Sequence, residues 1–400
     1  MPSAIVTGAT GILGRGIVNE LGSKPDEWSN VYALSRSKKD SYPSNVHHNH
    51  LDLTSSAEQM AKDLKDIEAE YVFFAAYVDV GSADENNRVN GDMFSNFLKT
   101  FEINGTVSKI KRIILVCGLK QYGVHLGNPK QPMEENDPWL PEPPSNFYYR
   151  QQRTLHDFSK KHNTEWVVTY SNEVVGFAKG NYMNLASCLG LYAAVHTVLG
   201  NGKELPFPGS QAVYTKFDVF TYTKLHAQFC RWAALEPRAG NAAFNVVNGD
   251  VESWQNLWPK LAARYNLTVP ADQFSRPAPD ASDYPMGDVA PLSYFAKELG
   301  VEGHTPPSRL QQRIDLERWS KKPEVRDAWA TLARRHGLDE DAIEKATWGF
   351  AAFVLGRDYD LVANMSKARK LGWTGYADSW ESFEEVFGEL EDAKVLPRSK

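Results

Sequence analysis

The chain opens with MPSAIVTGATGILG (residues 1–14), a short apolar run broken by glycines at positions 8, 11 and 14 and continued by a helical pattern over 12–21. Ile5 and Val6 supply a buried strand and Gly8 the tight turn. Gly11 lets backbone approach a phosphate, and Gly14 leaves room for the helix to pack on the sheet, with Thr10 and Ile12 completing the turn. A helix that begins at such a turn offers unpaired N–H groups to an anion. Strand, GxxGxxG turn and helix in this order predict a parallel α/β sheet that holds a dinucleotide at its carboxyl edge. A relic of the turn that binds nothing is the competing reading.

The pattern that follows agrees. Short runs of β-formers at 30–35, 46–53, 71–76, 112–117 and 166–170 alternate with helical patterns at 55–66, at 84–101 and from about Tyr148. This alternation predicts an α/β protein with a Rossmann-type doubly wound parallel sheet over residues 1–176, rejoined by a strand near 243–248. The 400 residues, 42% of them hydrophobic, suffice for a large core. Residues 128–144 carry six prolines and read as a long loop beside the site. Residues 177–400 read as a smaller mixed, mainly helical substrate lobe, with helices at 183–199 and 254–265 and a helical, aromatic stretch from 308 onward.

Several classes are argued against. The formal charge of −6 and a pI near 6.0 disfavour nucleic acid as a partner. No apolar stretch reaches the roughly 18 residues that span a bilayer, and the first strand leaves no space for a signal peptide, so a cytoplasmic location is expected. Cys117, Cys188 and Cys230 read as buried thiols. His47, His48 and His50 alternate along a strand, which argues against a metal site.

The second strand ends in Ser35, Arg36 and Ser37, followed by two lysines. A guanidinium and hydroxyls where NAD-preferring folds place a carboxylate favour NADP(H). A solvated basic turn is the plainer reading. Asp52 and Leu53, at the end of the third strand, fall at the adenine edge, although Asp52 could instead cap the next helix, a task Thr54 serves better.

Short-chain dehydrogenases carry Tyr-x-x-x-Lys on one helix, the ammonium acting on the phenol. Here Tyr148 is followed by Gln152 and Tyr149 by Arg153, so the lysine must come from elsewhere. Lys120, just after the fifth strand, is well placed at the carboxyl edge.

At this point the chain resembles a known family, the plant progesterone 5β-reductase and iridoid synthase-like enzymes, which are atypical short-chain dehydrogenases. The resemblance runs nearly end to end. It rests on Thr10-Gly-Ile12, Gly118-Leu-Lys120-Gln-Tyr122, Asn146-Phe-Tyr-Tyr149, Met183-Asn-Leu185, the AFNVVNGD stretch at 243–250, Trp348-Gly-Phe350 and Met365-Ser-Lys-Ala-Arg369. It implies that Lys120 and Tyr148 are the catalytic pair and that Phe350 is a pocket aromatic. Trp348 and Tyr122 are further substrate-facing candidates, the tryptophan otherwise being core. Arg36 and Ser37 match a double-arginine clamp for the 2′-phosphate of which one arginine is kept, which weakens the NADPH preference. Ala76, Tyr77, Val116, Val174, Asn181, Tyr182 and Met183 fall where the family contacts the rest of the cofactor. The chain departs from the family after the sixth strand, where Arg-Pro-Gly-Asn is replaced by Tyr170-Ser-Asn-Glu173. Glu173 reads either as an acid beside the nicotinamide pocket or as an ordinary surface loop acid.

The implied reaction is NADPH-dependent 1,4-reduction of an enone or enal, with hydride going to the β-carbon and Tyr148 and Lys120 stabilising the enolate. Reduction of a ketone or aldehyde carbonyl by the same residues stays open, as does a protein that binds NADP without turnover. The expected partner is a small apolar carbonyl compound, and a homodimer is left open.

Overall fold

The computed structural model describes residues 1–37, 40–141, 146–178, 183–199 and 203–399. Seven parallel strands form the central sheet: β1 (Ser3–Thr7), β2 (Asn30–Ser35), β3 (Val46–His50), β4 (Tyr71–Phe74), β5 (Arg112–Gly118), β6 (Glu165–Ser171) and a returning strand, Ala242–Val246. Their order is β3-β2-β1-β4-β5-β6-returning strand, the doubly wound arrangement that the alternation predicts. The strand order switches direction between β1 and β4, which opens a crevice beyond the carboxyl ends there of the kind that holds ligands in such sheets. Ala4, Ile5, Val6 and Thr7 have no exposed surface, as expected of a central strand covered on both faces.

One face is covered by α1 (Ile12–Gly22) and by the helix Thr223–Leu235. The two lie close because Gly16 has no side chain: a Cβ there would stand 2.6 Å from Thr223 Oγ1. Arg231 seals the contact with Glu20 at 2.8 Å and Glu27 at 3.0 Å. Residues 223–246 thus rejoin the sheet as a helix and a strand. The other face is covered by α2 (Ala57–Asp63), α3 (Ala83–Ile103) and α4 (Phe147–His162). Phe74 meets Phe94 edge-on at 4.7 Å there.

Most expected elements are present with shifted ends. β3 stops at His50 and β4 at Phe74, short of the predicted 53 and 76, where the chain leaves the sheet as loop. α2 begins at Ala57, capped by the Ser56 hydroxyl accepting from Gln59 N–H at 3.2 Å, so neither Asp52 nor Thr54 is the cap. α5 (Leu185–His196) is shorter than the predicted 183–199 and nearly all buried. Its apolar surface is matched within the lobe, where Tyr192 packs on Trp319 at 4.7 Å and Trp258 at 5.9 Å. The stretch from 308 does not start as helix. Arg309–Gln312 is a strand paired antiparallel with Ser282–Pro285, and the helices follow from Leu316. No helix among the described residues is long and apolar enough to cross a membrane.

Candidate active site

The turn after β1 is shaped by missing side chains. Gly8 has a φ of 64°, and a Cβ there would lie 2.5 Å from the Ala75 carbonyl oxygen. A Cβ on Gly14 would lie 2.2 Å from the carbonyl oxygen of Gly8. Gly11 donates its N–H to Gly8 O at 2.8 Å and starts α1 without a side-chain cap. The first-turn N–H groups therefore have no side-chain acceptor, which fits a pyrophosphate. Thr10 is half-buried and Ile12 is buried, its Cγ2 lying 2.7 Å from where Gly176 would carry a Cβ.

At the end of β2 the Ser35 hydroxyl donates to Ser37 O at 2.8 Å and meets His48 Nε2 at 3.0 Å. Arg36 and Ser37 are exposed. Asp52 accepts from the N–H of Thr54 at 3.0 Å and its hydroxyl at 2.8 Å, bonds that hold its carboxyl below the usual range, with the Arg36 charge adding to them. Leu53 packs partly on the core. Sequence reasoning missed one pair here: Arg15 on α1 meets Asp40 at 3.3 Å and stands 5.0 Å from the Phe177 ring. A carboxylate does follow β2, beyond the strand end, and it is paired with a cation. His47 and His50 bond to Asn30 Oδ1 (2.9 Å) and Arg36 O (3.0 Å), and no group of three or more metal-ligating side chains occurs among the described residues.

The turn that carries Lys120 and the start of α4 that carries Tyr148 adjoin where β5 and β6 end. Gly118 closes β5, and the single 3-10 turn Leu119–Tyr122 carries Lys120. Asn146, the N-cap of α4, ties this turn to the tyrosine: its Nδ2 donates to Lys120 O at 2.9 Å and its Oδ1 accepts the Tyr148 N–H at 3.1 Å. A Cβ on Gly118 would lie 3.3 Å from the Tyr148 hydroxyl and 3.0 Å from Ser171 O, so the phenol tip sits between the two strand ends. Tyr77 stacks on Phe147 at 5.4 Å, and Phe147 meets Tyr148 edge-on at 4.5 Å. Ala76, in the loop two residues past β4, and Val116, on β5, are half-buried.

Burial pushes the Tyr148 phenol up, with Cys117 and Tyr77 adding, so it keeps its proton. Burial pulls Lys120 down, opposed by Asp79. His125 is pushed down to about 3, by burial first and then by the Lys120 charge, and its Nδ1 has no partner among the described residues.

The position that holds lysine in Tyr-x-x-x-Lys is Gln152, and its amide is fully used. Nε2 donates to Gln121 Oε1 at 2.7 Å and to Tyr148 O at 3.1 Å, and Oε1 accepts from the Tyr170 hydroxyl at 2.6 Å. Tyr149 joins by donating to Gln121 O at 2.7 Å. A lysine could donate in this network but could not accept from Tyr170. Tyr122 is buried and donates to Asn245 Oδ1 at 2.7 Å, turning its polar end toward the returning strand. Trp348 is buried, donates to Ile343 O at 2.8 Å and packs on Trp319 at 5.2 Å, while Phe350, on the same short helix Trp348–Val354, is half-buried. The Asn184 N–H donates to Thr347 Oγ1 at 3.2 Å, which ties the neighbour of Met183 to the start of that helix. Met183 itself is half-buried with a φ of 59°. Asn181 and Tyr182 lie outside the described residues.

Glu173 is not a surface acid. It follows β6 with a φ of 34°, is 7% exposed, and is paired with Arg357, which also pairs with Asp218. Burial drives its carboxyl well up, with Asp218 adding and Arg357 opposing. Val174 next to it is half-buried and pairs with Thr221. Nothing around Arg357 in the sequence marks it. The pointer was the unusual glutamate after β6.

A family model described as the PRISE-like Rossmann-fold domain matches residues 4–286. A Schizosaccharomyces pombe protein designated C757.02c is 38% identical, covering 99% of this chain and 98% of its own length. The 3-oxo-Delta(4,5)-steroid 5-beta-reductase of Arabidopsis thaliana is 25% identical over 98% of this chain and 93% of its own. Among solved structures, the Bordetella bronchiseptica enzyme WbmG in complex with NAD and UDP superposes with a TM-score of 0.56 at 12% identity, covering 99% of this chain and 96% of that one, a likeness of fold.

Proposed function

The chain belongs to the PRISE-like Rossmann-fold family of short-chain dehydrogenase-type oxidoreductases, and from that premise we propose that it is an NADPH-dependent reductase of the activated C=C bond of an enone or enal. The observation that carries this reading is the Tyr148 hydroxyl held between the ends of β5 and β6, with the Tyr148 N–H and the Lys120 carbonyl both bonded to Asn146.

Gly8, Gly11 and Gly14 with the start of α1 would hold the pyrophosphate, Arg36 the 2′-phosphate, and Ala76, Val116, Val174 and Met183 the nicotinamide half. Bound NADPH supplies the hydride, which none of this chain's side chains can. Tyr148, a phenol that stays protonated, donates a hydrogen bond to the carbonyl oxygen as negative charge gathers there. A base would need the opposite shift. Lys120 adds positive charge from the adjoining turn, and partial burial of both makes each interaction count for more than in water. The proton that completes the product reaches the α-carbon from solvent. Phe350 provides apolar surface for a small carbonyl substrate. A cytoplasmic location accompanies this reading and is supported by the three cysteines, all buried and free.

The test is NADPH oxidation by the protein over a panel of enones, enals and ketones, with products identified by NMR. Saturated carbonyl products are expected. Alcohols would assign 1,2-reduction, and cofactor binding without oxidation would make the chain a nucleotide-binding protein.

A further inference from the structure

The loop that leaves β6 is held by a buried group of charges that does not balance. Arg357 donates through Nη1 to Glu173 and through Nη2 to Asp218, and all three side chains are at most 4% exposed. One cation thus faces two carboxyl groups away from water, where an uncompensated charge is costly. The hydrogen bonds show where the imbalance falls. Asp218 has further donors, the Val219 N–H at 2.8 Å and Asn172 Nδ2 at 3.3 Å. Glu173 Oε2 is buried and has no donor among the described residues. A proton on that oxygen, donated to Asp218, satisfies it and leaves the group neutral, the arrangement expected of two close carboxyls that share one proton.

The same loop abuts the cofactor turn. Asn172 N–H donates to Thr221 Oγ1 at 2.9 Å, and its side chain donates to Val219 O at 2.7 Å. Val174 and Val175 pair with Thr221 and Tyr222, and Thr223 Oγ1 donates to the carbonyl of Ile12 at 2.9 Å. On the far side, Tyr359, two residues beyond Arg357, donates to Val124 O at 2.5 Å, in the segment that carries Lys120 and His125. The charged group therefore joins the β6 exit, the cofactor turn and the catalytic-lysine segment.

We propose that Glu173, Asp218 and Arg357 are positioning residues that share a single proton and clamp the β6 exit loop against the cofactor turn. Their role in turnover rests on the reductase reading above, whereas the shared proton does not. The titratable groups around Glu173 are Asp218 on the 217–218 strand and Arg357 and Tyr359 on the 357–361 segment. Lys216 and Asp360 form a pair at 3.8 Å further out. The folded chain holds a proton that an unfolded glutamate releases above its ordinary range. The stability this confers is complete below that range and is lost as pH rises toward the folded value, driven well up by burial first.

The experiment uses the full chain as wild type and as Glu173→Gln, which keeps the volume and mimics the protonated donor. Infrared spectra at pH 7 should show a protonated-carboxyl band in the wild type that shifts in D2O and is absent from Glu173→Gln. Thermal melts should fall with rising pH more steeply in the wild type than in the variant. With NADPH and a reducible enone, kcat of the wild type should decline as pH rises toward the folded value; Glu173→Gln should keep kcat at neutral pH within about threefold and show no such decline, and Glu173→Ala should lose at least tenfold in kcat. Absence of the infrared band, or identical pH dependence of the melts in wild type and Gln variant, overturns the shared proton. Equal kcat in the Gln and Ala variants overturns the positioning role. If no enone is reduced, the reductase reading fails, while the infrared and melting results still decide on the proton.

Discussion

At the pyrophosphate end the candidate site is made of backbone. Gly8 sits at a φ of 64°, Gly14 leaves no room for a Cβ, and α1 begins without a side-chain cap, all within the first turn after β1. At the catalytic end it is made of side chains drawn from distant parts of the chain: Asn146 reaching Lys120, Gln152 reaching Gln121 and Tyr170, Arg357 reaching Glu173 and Asp218. A backbone-built site needs small residues at fixed local spacing, and a side-chain-built site needs partners the fold must first bring together. The first kind is specified by a few neighbouring residues. The second depends on contacts that span from 18 to 184 positions.

This contrast predicts where substitutions act. Arg357→Ala should be the most damaging to stability, because it leaves two buried carboxyls with no cation; a loss of about 3–5 kcal/mol is expected in urea unfolding. A loss no greater than that of an exposed arginine would remove the distinction between the two ends. Tyr148→Phe should leave folding and NADPH affinity intact while lowering kcat about a hundredfold to a thousandfold, some 2.7–4 kcal/mol of transition-state stabilisation. Steady-state kinetics with a reducible enone checks this, and near-normal turnover would rule the hydroxyl out.

The glycine turn should respond in the opposite way. Gly14→Ala places a Cβ 2.2 Å from a carbonyl oxygen, so it should cost about 1–3 kcal/mol of stability and weaken NADPH binding in calorimetry, with kcat at saturating cofactor little changed. Arg36→Ala should be mildest, raising the Kd for NADPH about tenfold (~1.4 kcal/mol) and leaving NADH unaffected. Equal losses for both nucleotides would put the exposed guanidinium of Arg36 outside the 2′-phosphate site.

The same division explains what was legible in the sequence. The strand order and the turn follow from local period and glycine spacing, and β1, α1 and the returning strand lie within a residue or two of where the pattern puts them. Lys120 stands out as a candidate because Tyr-x-x-x-Lys is broken at Gln152 and a lysine follows β5. The reason Gln152 is there was not legible, since it lies in Gln121 and Tyr170, partners 31 and 18 positions away. Glu173 kept two readings open because only its own neighbours were visible; the partner that buries it, Arg357, is 184 positions on. The strand at Arg309–Gln312 escaped for the same reason, as its pairing with Ser282–Pro285 shelters residues without a clear two-residue alternation.

The role proposed for Tyr148 and Lys120 is to serve hydride addition to carbon rather than to a carbonyl. Its most direct test is a turnover with NADPH deuterated on the transferred position and a cyclic enone, the product read by NMR. A saturated ketone with deuterium on the β-carbon is expected, formed at least a hundredfold more slowly by Tyr148→Phe. Deuterium on the carbinol carbon of an alcohol, or an undiminished rate in the variant, would contradict it.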